Sequence, residues 1–167
     1  MSSQNWKYFS WYDAAVNEIG QKEIKGDDDN PRIIEYHKAT TLRATQDEVP
    51  WCSSFVNWCL QQAGYTGTRS AAAASWLAWG THIVEPVKGC IVVVSRVDPR
   101  KPNGKGHHVG FYAGKDDKGN MLVLGGNQSD AVNVKVIEWK RVSAYIMPAH
   151  LDDDDQGLYD LMTKEVA

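Results

Sequence analysis

The 167-residue chain is poor in cysteine, in cationic surplus and in long apolar runs. Three cysteines are an odd number and no Cys-x-x-Cys pair occurs, so neither a disulfide framework nor a structural zinc site is expected. Cys52 and Cys59, if carried on one helix, would lie roughly 10 Å apart along its axis, too far for a bridge. The densest apolar run, residues 90–94, falls far short of the roughly 18 residues a membrane span requires. Lys+Arg 18 against Asp+Glu 21 gives a net charge of −3, so no overall field favours nucleic acid. The opening MSSQNWKYFSWYDAA lacks a basic segment followed by an aliphatic one, so no Sec signal is expected and action outside the cytoplasm would need another route. What is there is ordinary for a folded protein: 43% hydrophobic and 23% charged. The length suits one domain, read as residues 1–150, with an acidic tail or short helix over 151–167.

The periodicity divides the chain into a helical front and a stranded back. Tyr8, Trp11, Tyr12, Ala15, Val16 and Ile19 recur at helical spacing and stop at Gly20. Asn30 as N-cap and Pro31 at the first helical position open a second helix. Asp27, Asp28 and Asp29 before it lack the regular spacing of a calcium loop and read as solvated charges. Phe55, Val56, Cys59, Leu60 and Ala63 form one face of a third helix that starts at or beside Cys52 and ends at Gly64. Ser70 and Gly80 bracket a fourth, over residues 71–79.

From there the period changes to two. Ile91, Val92, Val93 and Val94 suit a strand buried on both faces. Residues 109–113 and 121–124 flank the turn sequence KDDKGN, and further strands are expected at Val132, Val134 and Val136 and over residues 139–145. Residues 98–106, DPRKPNGKG, read as a mobile surface loop, and Leu158, Leu161, Met162 and Val166 as an amphipathic tail. Helices followed by antiparallel strands is an α+β arrangement.

A cysteine at a helix start sits where unpaired N–H groups and the helix dipole favour its thiolate, and Cys52 has that position. Cys59 and Cys90 fall on apolar faces and read as small core residues. A nucleophilic thiol needs an imidazole base and a group to hold the ring, for which the candidates are His107 or His108 and then Asn127. Strand alternation lets only one of the two histidines share a cleft with the helix end, and Gly110 beside His108 leaves room for a close approach. His37, His82 and His150 read as surface residues. Trp58 and Trp76 are expected in the core, and Trp51, next to the thiol, is read as a wall of the cleft.

The segments VPWCSSFVNWCLQQAGYTGT, GHHVGFYAG and VLGGNQSDAVNV, with GDDDNPRIIEYH and DEVPWC before them, resemble the papain-like cell-wall peptidases of the NlpC and CHAP type, in particular a phage- and effector-associated branch. The resemblance runs over about residues 18–148. It implies N-terminal helices, one carrying a cysteine nucleophile, packed on a small antiparallel sheet that carries the histidine, with a polar third residue on the next strand. The motif positions fall on Cys52, His108 and Asn127. Gln46 is similar in position to the upstream glutamine that papain uses in its oxyanion hole, although N–H groups at the helix start can serve the same end. Many relatives have an aspartate after the glycine that opens the first long strand, where this chain has Cys90 after Gly89.

The resemblance implies a peptidoglycan hydrolase that cuts a stem-peptide amide without cofactor or metal, as a phage lysin or an interbacterial effector acting in the periplasm or wall of a target. Trp51, Arg69 and Lys105 are the candidate substrate-binding residues. An effector would imply an immunity protein as partner. The rival readings are acyl transfer or deamidation by the same triad, and a wall-binding module without turnover.

Overall fold

The computed structural model describes residues 7–97 and 102–164. Within them, helices α1 (Ser10–Val16), α2 (Pro31–His37) and α3 (Cys52–Gln62) precede six strands, and α4 (Asp153–Lys164) closes the chain. The strands are β1 (Thr81–Ile83), β2 (Ile91–Val97), β3 (Lys105–Lys115), β4 (Met121–Gln128), β5 (Ala131–Ile137) and β6 (Val142–Met147). They form one antiparallel sheet in the order β1-β6-β2-β3-β4-β5, the expected α+β arrangement.

Helix α3 is the centre of the packing. It touches α1 and α2 on one side and β3 and β4 on the other, so every residue from Cys52 to Leu60 is buried, polar ones included. Ser53 and Asn57 meet that burial with hydrogen bonds to the segment that runs back along the helix: Ser53 Oγ donates to the Ser70 carbonyl at 2.7 Å, and Asn57 Oδ1 accepts from Arg69 N at 2.8 Å. Trp58 and Trp76 lie in the core, and Trp76 Nε1 donates to Ser53 Oγ at 2.9 Å. Asn30 caps α2 through Arg32 N at 2.9 Å with Pro31 at N1, as its sequence signals require.

Several boundaries differ from the periodicity. α1 stops at Val16, and a turn carries the chain to Gly20 at φ 105°. Within residues 71–79 the chain forms a 3₁₀ helix, Ala73–Ala78, rather than an α-helix, and Trp76 is buried in the core from these two short turns. The stretch read as a strand from residue 139 opens with a 3₁₀ turn, Trp139–Arg141, before β6. β1 carried no signal, being three residues long and largely exposed. The loop read over 98–106 gives way to β3 at Lys105, and its residues 98–101, like Val166 of the tail, lie outside the described residues.

The acidic tail has a specific attachment. Leu158, Tyr159 and Met162 of α4 pack on the core, and Asp155 is buried, accepting from Ser10 N at 2.9 Å, Ser10 Oγ at 2.6 Å and Tyr65 Oη at 2.7 Å. A carboxylate from the last helix thus neutralises the N-terminal end of the first.

Candidate active site

Trp51 sets the start of α3. Its ring is fully buried, Nε1 donates to Glu23 Oε1 at 2.8 Å, and it packs against Tyr36 with centroids 5.8 Å apart. On the other side it touches Gly126 of β4, where a Cβ would come within 2.6 Å of the indole, so glycine is required for the helix start to approach the sheet this closely. The expectation of Trp51 as a cleft wall is therefore corrected: the ring is a core anchor with no exposed surface. The first helical bond runs from Phe55 N to the Trp51 carbonyl at 2.9 Å, which leaves the N–H groups of Cys52, Ser53 and Ser54 without intrahelical partners.

The sheet opens where Cys52 enters it. Tyr112 exchanges both backbone bonds with the chain on the β2 side, N to the Cys90 carbonyl at 2.8 Å and carbonyl to Gly89 N at 2.7 Å. By alternation the Val109 N–H points the other way, toward β4. The pairing of β3 with β4 runs only as far as Phe111↔Leu124, so β4 has already diverged at Val109, and its N–H approaches the Cys52 thiol instead. Burial pushes that thiol up, but its hydrogen bond with His108, the charge of the same ring, the Val109 N–H and the charge of Arg96 together outweigh it and hold Cys52 below the ordinary thiol value. Burial dominates at the other two cysteines: Cys59 is raised well above the usual range and Cys90 is pushed up to about 12.

His108 is fixed by Gln128. Its Nε2 lies 3.0 Å from Gln128 Oε1, and both side chains are buried. The Gln128 amide can present only its oxygen to the ring, because its nitrogen donates to the carbonyls of Val123 at 3.1 Å and Asn133 at 2.8 Å, and to Asn133 Oδ1 at 3.0 Å. The ring therefore carries its proton on Nε2, which leaves Nδ1 as the nitrogen able to accept from the Cys52 thiol. Gly125 makes room for this pair, since a Cβ there would lie 2.7 Å from Gln128 Oε1 and 3.4 Å from His108 Nε2.

Asn127, expected to hold the ring, does not. Extending the Phe111↔Leu124 register along both strands would set Asn127 opposite His108, as simple alternation implies. The β4–β5 register shifts between Gly125 and Gln128, and Asn127 takes a left-handed φ of 57°. That irregularity gives the inward position to Gln128, one residue later. The motif GGNQ carried the signal in its second amide.

The remaining residues divide. His107 takes the face opposite to His108 and lines an outer groove with Lys105, while Phe111 on the same face as His107 packs on Phe55, with centroids 6.4 Å apart. Arg69 is exposed in the segment behind α3, at a left-handed φ of 58°, and does not line the pocket at His108. Gln46 is exposed, and what it turns inward is its backbone carbonyl, near the His37 ring. His37 is not a surface residue: it is fully buried, with Nδ1 3.0 Å from Ser54 Oγ and no hydrogen bond completed at Nε2. Among the described residues no three of His, Cys, Asp or Glu converge as metal ligands would. A pocket of about 120 Å³ next to His108 is lined by Asn127, Gln128, Ser129 and Ile137 and by three cations, Arg96, Lys135 and Arg141, none of the cations singled out by the sequence motifs.

No curated protein and no solved structure matches the chain. A family match does exist, to the CHAP domain over residues 44–127, a span that contains both the helix bearing Cys52 and the strand bearing His108. CHAP domains are papain-like, and the helix-on-antiparallel-sheet arrangement described above agrees with that fold. A match over half of the chain, in agreement with its architecture, assigns the chain to the CHAP domain family, whose members point to hydrolase or amidase action on peptidoglycan.

Proposed function

We propose that the chain hydrolyses an amide bond in the stem peptide of peptidoglycan, with Cys52 as nucleophile, His108 as general base and acid, and Gln128 in the orienting role expected of Asn127. The observation that carries the reading is the lowered thiol of Cys52 beside a histidine whose far nitrogen is committed to Gln128.

His108 Nδ1 accepts the thiol proton, and the sulfur attacks the scissile carbonyl carbon. As the C–S bond forms, the carbonyl electron pair moves to oxygen, and the unpartnered N–H groups at the start of α3 stabilise that charge. Collapse breaks the C–N bond, and the departing nitrogen takes the proton back from Nδ1. Water, deprotonated by the same nitrogen, attacks the thioester, releases the carboxylate and restores the thiol. Gln128 keeps the ring in the tautomer that both halves need, without itself exchanging a proton. Such an enzyme would serve as a phage lysin or as an interbacterial effector; the effector role would call for an immunity protein.

Purified sacculi test the reading. Wild-type protein should release fragments with new amines on the stem peptide while glycan strands stay intact, and Cys52→Ala should release none while keeping its fold. New reducing or anhydro sugar ends without new amines would sink it.

A further inference from the structure

The charge around the site is unlike that of the chain. The net charge is −3, yet no carboxylate lines the pocket beside His108. β2 pairs Val94 with His108 and Arg96 with Gly106, so Arg96 shares the face of His108 and is its diagonal neighbour across the strands. Arg96 Nε is buried there with no hydrogen-bond partner among the described residues. Arg141, which also lines the pocket, anchors its own Nε on the Ser95 carbonyl at 2.9 Å, a bond that does not use its two terminal nitrogens. Lys135 lines the third side. The two ion pairs among the described residues both belong to Arg32, so none of these three cations is spent on a carboxylate of the chain there.

We propose that Arg96, with Arg141 and Lys135 beside it, binds a substrate carboxylate carried by the residue that forms the scissile amide, namely the α-carboxylate of γ-linked D-glutamate in the stem peptide. The inference rests on the proposed function and adds a specificity determinant to it. At about 120 Å³ the pocket suits a carboxylate and a short stem rather than a sugar ring. Its contact with His108 requires that the carboxylate lie close to the bond being cut, and in a γ-linked residue the free α-carboxylate flanks the amides on either side. A planar guanidinium matches a carboxylate through two parallel hydrogen bonds, which an amide in the same position cannot accept. The sequence offered Arg69 and Lys105 for this part. The fold supplies Arg96 instead, with Lys105 further out along the adjoining groove that Arg96 and Arg141 also line.

The test compares two synthetic peptides, L-Ala-γ-D-Glu-diaminopimelate-D-Ala and the same peptide with the D-glutamate α-carboxylate amidated. Wild-type protein should favour the free acid by about 10- to 100-fold in kcat/KM, chiefly through KM, as loss of a charge-assisted hydrogen bond implies. Arg96→Gln should bring the two peptides to within about 2-fold of each other, and Arg96→Lys should retain part of the preference. Iodoacetamide labelling in Arg96→Gln that still modifies Cys52 ahead of Cys59 and Cys90 shows that the thiol–imidazole pair is intact, even though the rate falls with the loss of the Arg96 charge. A preference that survives in Arg96→Gln overturns the inference. So does a wild type that cleaves both peptides equally, a result that leaves the proposed function standing and does not depend on the variant folding. A wild type that cleaves neither peptide overturns the proposed function and this inference with it.

Discussion

His108 Nε2 stands 3.0 Å from Gln128 Oε1, and behind that contact the Gln128 nitrogen is held by three acceptors, the Val123 carbonyl and both oxygens of Asn133. The amide is thus positioned before any substrate arrives. Removing it frees the ring to rotate and leaves the tautomer unspecified. Gln128→Ala should lower kcat/KM by about 10- to 100-fold, the worth of one hydrogen bond to a group that becomes charged in the reaction. Asn127→Ala should change it by less than about 3-fold, because the Asn127 side chain makes no bond to His108. Steady-state kinetics on one stem-peptide substrate decide the matter, and the opposite ranking of the two variants would return the role to Asn127.

The three thiols should separate cleanly by reactivity. Cys52 is lowered against its burial by His108, the Val109 N–H and Arg96, whereas burial raises Cys59 and Cys90. Because the thiolate is the form that is alkylated, iodoacetamide should label Cys52 first, with mass mapping as the readout. The sign with pH follows: labelling of Cys52 should persist as pH falls through the ordinary thiol range and decline only below its own lower value. In His108→Ala the largest lowering influence is gone, so the profile should move to higher pH. Equal labelling of all three thiols in the folded protein would contradict this account.

How much of this was legible in the sequence depends on whether the responsible feature was local. α3 was readable because its apolar face, its start at Cys52 and its stop at Gly64 lie in one continuous segment. β2 was readable from Ile91 to Val94, all buried as that β-branched run requires. Gln128 was missed because alternation assumes an unbroken strand, and the shift between Gly125 and Gln128 breaks it. Arg96, Lys135 and Arg141 were missed for a different reason: they come from β2, β5 and the turn before β6, and only the order of strands in the sheet brings them together. Trp51 and His37 show the limit of composition, since a tryptophan beside a nucleophile and a histidine at a helix end both looked solvent-facing and are both fully buried.

Asp155 offers a stability test away from the site. It ties α4 to the start of α1 and to Tyr65 through three hydrogen bonds, all made to one buried carboxylate. Asp155→Ala leaves Ser10 N and Tyr65 Oη without their acceptor and should cost about 2–4 kcal/mol, read as a lower denaturant midpoint with an unchanged m-value. Activity per folded molecule should be kept, because nothing in this cluster touches Cys52 or His108. A variant as stable as wild type would mean that α4 contributes nothing to the fold of the front half.

His37 links the stability of the helix layer to pH. Burial pushes its imidazole below the ordinary 6.5, against opposing influences from the Gln46 carbonyl and the charge of Asp47. The native ring is neutral, with Nδ1 on Ser54 Oγ and Nε2 enclosed without a completed bond. As pH falls below 6.5 the unfolded chain takes up a proton at this residue before the native state does, so the unfolded state binds more protons and unfolding becomes easier. Stability from this source is complete above pH 6.5 and is lost as pH drops from there toward the lower native value. The slope it can add is at most one proton, about 1.4 kcal/mol per pH unit. Denaturant titrations between pH 7 and pH 5 should show a steeper decline for wild type than for His37→Asn, which has no proton to take up. Nuclear magnetic resonance gives a second readout that needs no variant: the His37 ring should hold its neutral chemical shift after the pH has passed 6.5. A His37 resonance that titrates at the ordinary value in the native protein, together with parallel stability curves for the two proteins, would show that the buried ring is not resisting its proton.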